Sequence, residues 1–170
     1  EGNIPPYYSS LFDILDVHVY DFNYDMQLID SYVMEIEAIL SGQKKQEQLK
    51  QLLLSYQPIP DLNTTVPSRF DPIPELDSIF KGLRTKIQLN TNLVKSNIRV
   101  ALPKLNDETV LQELAANLKK RKATYEELLL KNKNLFKKLK GYYTNHTEKL
   151  QLKNRSKQLI VVTSPNENNT

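Results

Sequence analysis

The feature that most constrains this chain is an unbroken run of alternating three- and four-residue steps in its carboxy-terminal half. Leu111, Leu114, Leu118, Arg121, Tyr125, Leu128, Asn132, Leu135, Leu139 and Tyr142 all follow it. That spacing keeps one stripe of an α-helix turned toward a neighbouring helix, whereas a strand would repeat every two residues. The chain must therefore lay a helix over 111–142 against other helices, and the expected fold class is all-α: an elongated helical bundle or set of helical hairpins with a coiled-coil-like C-terminal helix. Asn132 stands at a seam position, where a buried amide fixes register or partner number at some cost in stability. Arg121 and Asn132 also fit the edge of an ordinary bundle face.

Breaks in the pattern divide the remainder. Five prolines fall between Pro58 and Pro74. Proline removes a backbone donor and restricts the residue before it, so this stretch cannot be regular helix. Pro74 suits the first turn of a helix, where the missing N–H costs nothing. From there Leu76, Phe80, Leu83, Ile87, Val94, Ile98 and Ala101 describe a long amphipathic helix ending near Pro103. Asn106 or Asp107 caps the next one, with acids in its first turn and Leu105 placed to staple Val110. After Gly141 the pattern weakens. Leu159-Ile160-Val161-Val162 is an apolar, β-prone run that either folds back or docks on a partner, and 164–170 reads as a polar tail.

The amino-terminal part is harder to read. Ser9 and Ser10 are candidate caps for a short first helix carrying Leu11, Phe12, Ile14 and Leu15. Val17 to Tyr24 alternates like a strand but has no neighbour to pair with, so it is expected to be a connector or irregular helix. Met26, Ile29, Val33, Ile36 and Leu40 then mark a helix stopping at Gly42. Leu49, Leu52, Leu53 and Tyr56 mark another within 44–56. The expected organisation is an acidic helical region over 1–57, a Pro-rich connector over 58–74, a helical hairpin with the heptad seam over 75–157, and a terminal segment over 158–170.

Charge is sorted along the chain. Residues 1–43 hold eight acidic side chains and no Lys or Arg, while 104–157 hold fourteen basic and six acidic. Complementary ends of this kind meet each other or meet different partners. An apolar fraction of 39% with a mean hydropathy of −0.51 gives a lean core, as helical assembly proteins have. No apolar run is long enough to cross a bilayer, so the chain reads as soluble, and its start at Glu1 suggests an excised or processed segment. The absence of Cys excludes disulfides and thiolate zinc sites. The four N-x-S/T triplets, at Asn63, Asn145, Asn154 and Asn168, are read as unmodified.

Chemistry is sparse. His18 and His146 are far apart, and the four glycines at 2, 42, 82 and 141 form no phosphate loop. Asp21-Phe22-Asn23-Tyr24-Asp25 matches the first half of a calcium loop, but Met26 and Tyr32 occupy positions that require Gly and Glu. No catalytic residue, metal, cofactor or small-molecule substrate is expected, and no membrane partner. The expected function is a non-enzymatic structural or scaffold subunit of a multi-protein complex, intracellular and nuclear, of the kind found in kinetochore or transcription complexes. Its helical protein partners would bind through Leu111, Leu114, Leu118, Tyr125, Leu128, Asn132, Leu135 and Leu139, with Ile160 and Val161 as a terminal anchor. The alternative is a basic helical nucleic-acid-binding module using Lys119, Lys120, Arg121, Lys122, Lys137 and Lys138.

Overall fold

The computed structural model describes the backbone of residues 6–60 and 73–163, and the side chains of residues 7–60, 73–148 and 152. Within them lie four α-helices, α1 (Pro6–Leu40), α2 (Gln46–Leu54), α3 (Pro74–Ala101) and α4 (Glu108–Thr163), with a 3-10 turn over Leu102–Lys104. The fold is an all-α helical bundle. It divides into two compact units, residues 1–133 and 134–170.

Helix α1 differs from the sequence reading. Ser9 and Ser10 lie inside it rather than capping it, and Val17 to Tyr24 is helical without interruption. The physical reason is a second heptad seam. Leu11, Leu15, His18, Phe22, Asp25, Ile29, Tyr32, Ile36 and Ile39 are all buried, and they step by four and three along the whole helix. Two of these seam positions are polar, so an apolar pattern search loses the phase there. Gly42 then ends the helix as expected. Its φ of 80° is left-handed, and the N–H groups of Gly42 and Gln43 close back on the carbonyls of Ile39 and Ala38, as in a Schellman stop.

The seam of α3 runs through Leu76, Phe80, Leu83, Ile87, Asn90, Val94, Ile98 and Ala101, all buried. Pro74 occupies its first turn. The Tyr7 hydroxyl of α1 donates to Asp77 Oδ1 at 3.0 Å and accepts the Ile73 N–H at 3.0 Å. This bond satisfies a group that the helix start leaves open and sets the beginning of α1 beside the beginning of α3. Burial pushes the Tyr7 phenol up to about 12, so it stays a donor.

At the start of α4, Asp107 rather than Asn106 is the cap, accepting the Thr109 N–H at 2.9 Å. Bonds between α1 and α4 pair Leu15 with Asn132, Asp25 with Tyr125 and Asp30 with Lys122. Numbering that rises on one helix falls on the other, so the two are antiparallel. The short link over 102–107 folds α4 back on α3 as a hairpin, and Asn90 and Thr91 bond Arg121 and Tyr125 across it. Helix α2 buries Leu49 and Leu53, and Tyr56 beyond its end meets Tyr32 of α1 edge to face at 6.3 Å. The first unit is thus a three-helix bundle of α1, α3 and the first part of α4, with α2 laid on α1.

In the second unit α4 continues through Gly141, where the sequence pattern fades. Leu135 and Leu139 are buried there and Leu152 is exposed. The run 159–162 belongs to the helical backbone, but its side chains, those of Ile160 and Val161 included, lie outside the described residues, as does the tail at 164–170.

Candidate functional site

Polar residues placed on the three seams meet one another inside the first unit. Nearest the amino end of α1, Asn132 Nδ2 donates to the Leu15 carbonyl at 3.0 Å. A carbonyl only accepts, so the amide oxygen of Asn132 must face His18 Nδ1, 2.9 Å away, and that nitrogen carries the proton. Burial pushes the His18 pKa down, against the hydrogen bond to Asn132. The neutral ring also stacks on Phe22, at 5.6 Å and 14°.

One helical step further, Asp25 is fully buried. Its Oδ2 accepts hydroxyl protons from Tyr125 at 2.5 Å and Tyr56 at 3.2 Å. Tyr125 has a single hydroxyl proton, so Thr91 must donate to it across 3.2 Å. Asp25 Oδ1 has no hydrogen-bond partner among the described residues. Burial raises the Asp25 pKa, the two tyrosine hydroxyls oppose that, and the charge of Asp21 adds to it. Burial and then the Asp25 charge raise the phenols of Tyr56 and Tyr125, and the same causes push Tyr32 up to about 12. All three remain protonated donors under physiological conditions. Beyond this layer, Asn90 accepts from Arg121 Nη1 at 3.0 Å and donates to the Arg121 carbonyl at 3.1 Å.

Asp25 also reaches a groove of about 520 Å³ between α1 and residues 57–60. Asp21 stands in its wall with its pKa raised by burial. Tyr20 and Tyr24, 70% and 53% exposed, flank it with rings stacked at 6.3 Å and 13°. The groove thus combines carboxylates, tyrosine faces and the apolar edge of Pro58 and Ile59.

The seam assigned to partner binding is filled from within the chain. Leu111, Leu114, Leu118, Tyr125, Leu128 and Asn132 are buried in the first unit, and Leu135 and Leu139 are buried as well. A second chain can reach the first six only by opening the bundle. The basic cluster is also partly engaged. Lys122 bonds both oxygens of Asp30, at 2.8 and 3.1 Å, Lys119 meets Glu37 at 3.5 Å, and Arg121 serves Asn90. Acidic α1 therefore docks on basic α4 of the same chain. These exposed pairs orient the helices more than they stabilise them. Lys120 and Lys137 lie outside these ion pairs, and Lys137 and Lys138 belong to the second unit.

The sequence reading missed His18, Asp25 and Asn90 as seam residues, along with Tyr56, Thr91 and the groove. Extending the three–four stepping of α1 and α3 through polar positions would have found the first three. Asp21 and Asp25, weighed there as half a calcium loop, sit in unbroken helix. Among the described residues no group of three or more His, Asp or Glu is placed to hold a metal ion, and no helix is long and apolar enough to cross a membrane. Comparison of the chain with protein-family models, curated proteins and solved structures finds no match.

Proposed function

We propose that this chain is a non-enzymatic scaffold subunit of a multi-protein assembly, holding a helical partner against the outward face of α1. The observation that carries the reading is the composition of that face. Val17, Tyr20, Tyr24 and Met34 are exposed large side chains. With Gln27 and Ser31, also exposed, they recur at alternating three- and four-residue steps on the side of α1 away from its filled seam. A face with that spacing suits knobs-into-holes packing by another helix. Large apolar groups left out on a helix whose other side is already covered mark an interaction surface. The interior supports the same reading, because its His, Asp, Asn and Tyr groups bond one another across helices and so fix register. By analogy of type alone, a nuclear assembly such as a kinetochore or transcription complex is the setting.

The test is to recover the tagged chain from its source cells with its bound subunits, as wild type and as the double variant Val17→Glu/Met34→Glu. The reading expects a defined set of subunits in fixed stoichiometry with the wild type, and loss of that set from a variant of unchanged helix content. A variant that retains the set, or a wild type that brings none, overturns it.

A further inference from the structure

The groove beside the outward face of α1 has a chemistry of its own. Two carboxylates, Asp21 and Asp25, meet there, and among the described residues no Lys or Arg lines it. Asp25 is fully buried, yet among the described residues its Oδ1 has no hydrogen-bond donor while Oδ2 has two. Leaving a buried carboxylate oxygen without a donor is costly, and a cation held at the groove wall beside it offsets that cost. The exposed tyrosine pair supplies the second element, because an ammonium or guanidinium lies favourably over a phenol face. Pro58 and Ile59 supply the third, an apolar edge against which an aliphatic stem can pack. At about 520 Å³ the space is of the size that holds a small ligand or a side chain with its flanking backbone.

We propose that this groove receives a basic side chain, arginine or lysine, from an extended segment of the partner protein. The cationic head points toward Asp21 and Asp25 Oδ1, the stem lies along Tyr20 or Tyr24, and the flanking backbone rests against residues 57–60. Arginine suits the site better, since its planar fork can stack on a ring while directing N–H groups at a carboxylate. Charge complementarity selects this occupant, because an acidic or neutral segment would leave Asp21 and Asp25 opposed or unanswered. The source of the cation rests on the scaffold reading, whereas the groove's preference for a cation does not.

The test titrates the full chain, followed by amide resonances, with three probes: acetyl-arginine methylamide, acetyl-lysine methylamide, and the uncharged isostere acetyl-citrulline methylamide. Saturable shifts confined to residues 20–32 and 56–60 are expected with the two cations, and binding at least about tenfold weaker with citrulline, the loss of one charge-assisted contact. Asp21→Asn, at the rim and away from the buried bonds, should weaken the arginine probe several-fold, and Asp25→Asn should weaken it about tenfold. Equal binding of the citrulline probe, shifts that do not saturate, or full affinity in folded Asp21→Asn overturns the proposal. Loss of assembly in Val17→Glu/Met34→Glu, neither of which lines the groove, tests the scaffold reading separately. Failed probe binding with an intact assembly sinks only the groove assignment, and saturable cation-selective binding without any assembly upholds the groove while sinking the scaffold.

Discussion

Replacing Tyr125 by Phe removes one oxygen from the middle of the bundle and leaves the ring in place. That oxygen donates to Asp25 Oδ2 at 2.5 Å and accepts from Thr91 at 3.2 Å. Both Tyr125 and Asp25 are 0% exposed, so water does not replace either bond. A hydrogen bond to a charged group contributes about 1.5–3 kcal/mol and a neutral one about 0.5–1.5 kcal/mol, so the substitution should cost roughly 2–4 kcal/mol. For a chain of this length that lowers the melting temperature by about 5–15 °C. The assay is urea unfolding at mildly alkaline pH, read as a lower midpoint at an unchanged slope. In an Asp25→Asn background the acceptor is neutral, and the same substitution should cost roughly 1–2 kcal/mol less. Folding favours protonated Asp25, because burial raises its pKa above the ordinary 3.8. That stabilisation is complete below the ordinary value and is lost as pH rises through the raised one. Asp25→Asn should therefore gain on the wild type as pH rises over this window. A Tyr125→Phe protein within about 0.5 kcal/mol of the wild type, or an equal cost in both backgrounds, would refute the claim that this layer holds the helices together.

Other consequences are as open to measurement. His18 is held neutral with its pKa below 6.5, so its contribution is present above that value and lost as pH falls through the depressed one. His18→Gln should flatten the acid limb of a stability–pH curve below 6.5, and an unchanged limb would show that the ring is not buried neutral. Leu118→Ala, which truncates a fully buried seam side chain, should cost about 2–5 kcal/mol in the same urea assay, whereas a cost below about 1 kcal/mol would mean the seam is open to water. Gly42→Ala forces a side chain into the left-handed turn that ends α1 and should cost about 1 kcal/mol, so a neutral result would place that turn elsewhere. Lys122→Ala removes an exposed pair with Asp30 and should leave the unfolding midpoint where it is, while a marked drop would make the charge sorting a stabilising device.

Much of the architecture was legible because its signals are local. Proline placement marked the start and the end of α3, Gly42 marked the end of α1, and Asp107 was one of two named caps. The seam of α4 was readable because most of its positions are Leu. What escaped was the continuity of α1, since His18 and Asp25 interrupt the apolar stripe at the positions where it meets Asn132 and Tyr125. A polar residue on a seam carries meaning only through its partner, and the partners lie about a hundred residues away in sequence. The heptad seam also left its own occupant open: spacing shows that a helix is covered, and the fold shows that α1 and α3 cover it. The groove depends on Tyr56 and residues 57–60 returning to α1, which no spacing announces. The charge split, by contrast, was visible at once, and Lys122 on Asp30 gives it an answer within the chain.

The most direct test of the account is the solution mass of the purified chain by light scattering, at low and at high salt, with helix content recorded on the same sample. A self-contained bundle predicts a strongly helical monomer near 19.7 kDa at both salts, because the α4 seam in the first unit is filled by α1 and α3 and the exposed ion pairs matter little. A weakly helical species, or one that self-associates through the seam and is lost on Leu128→Ala, would contradict it and return the seam to a second chain.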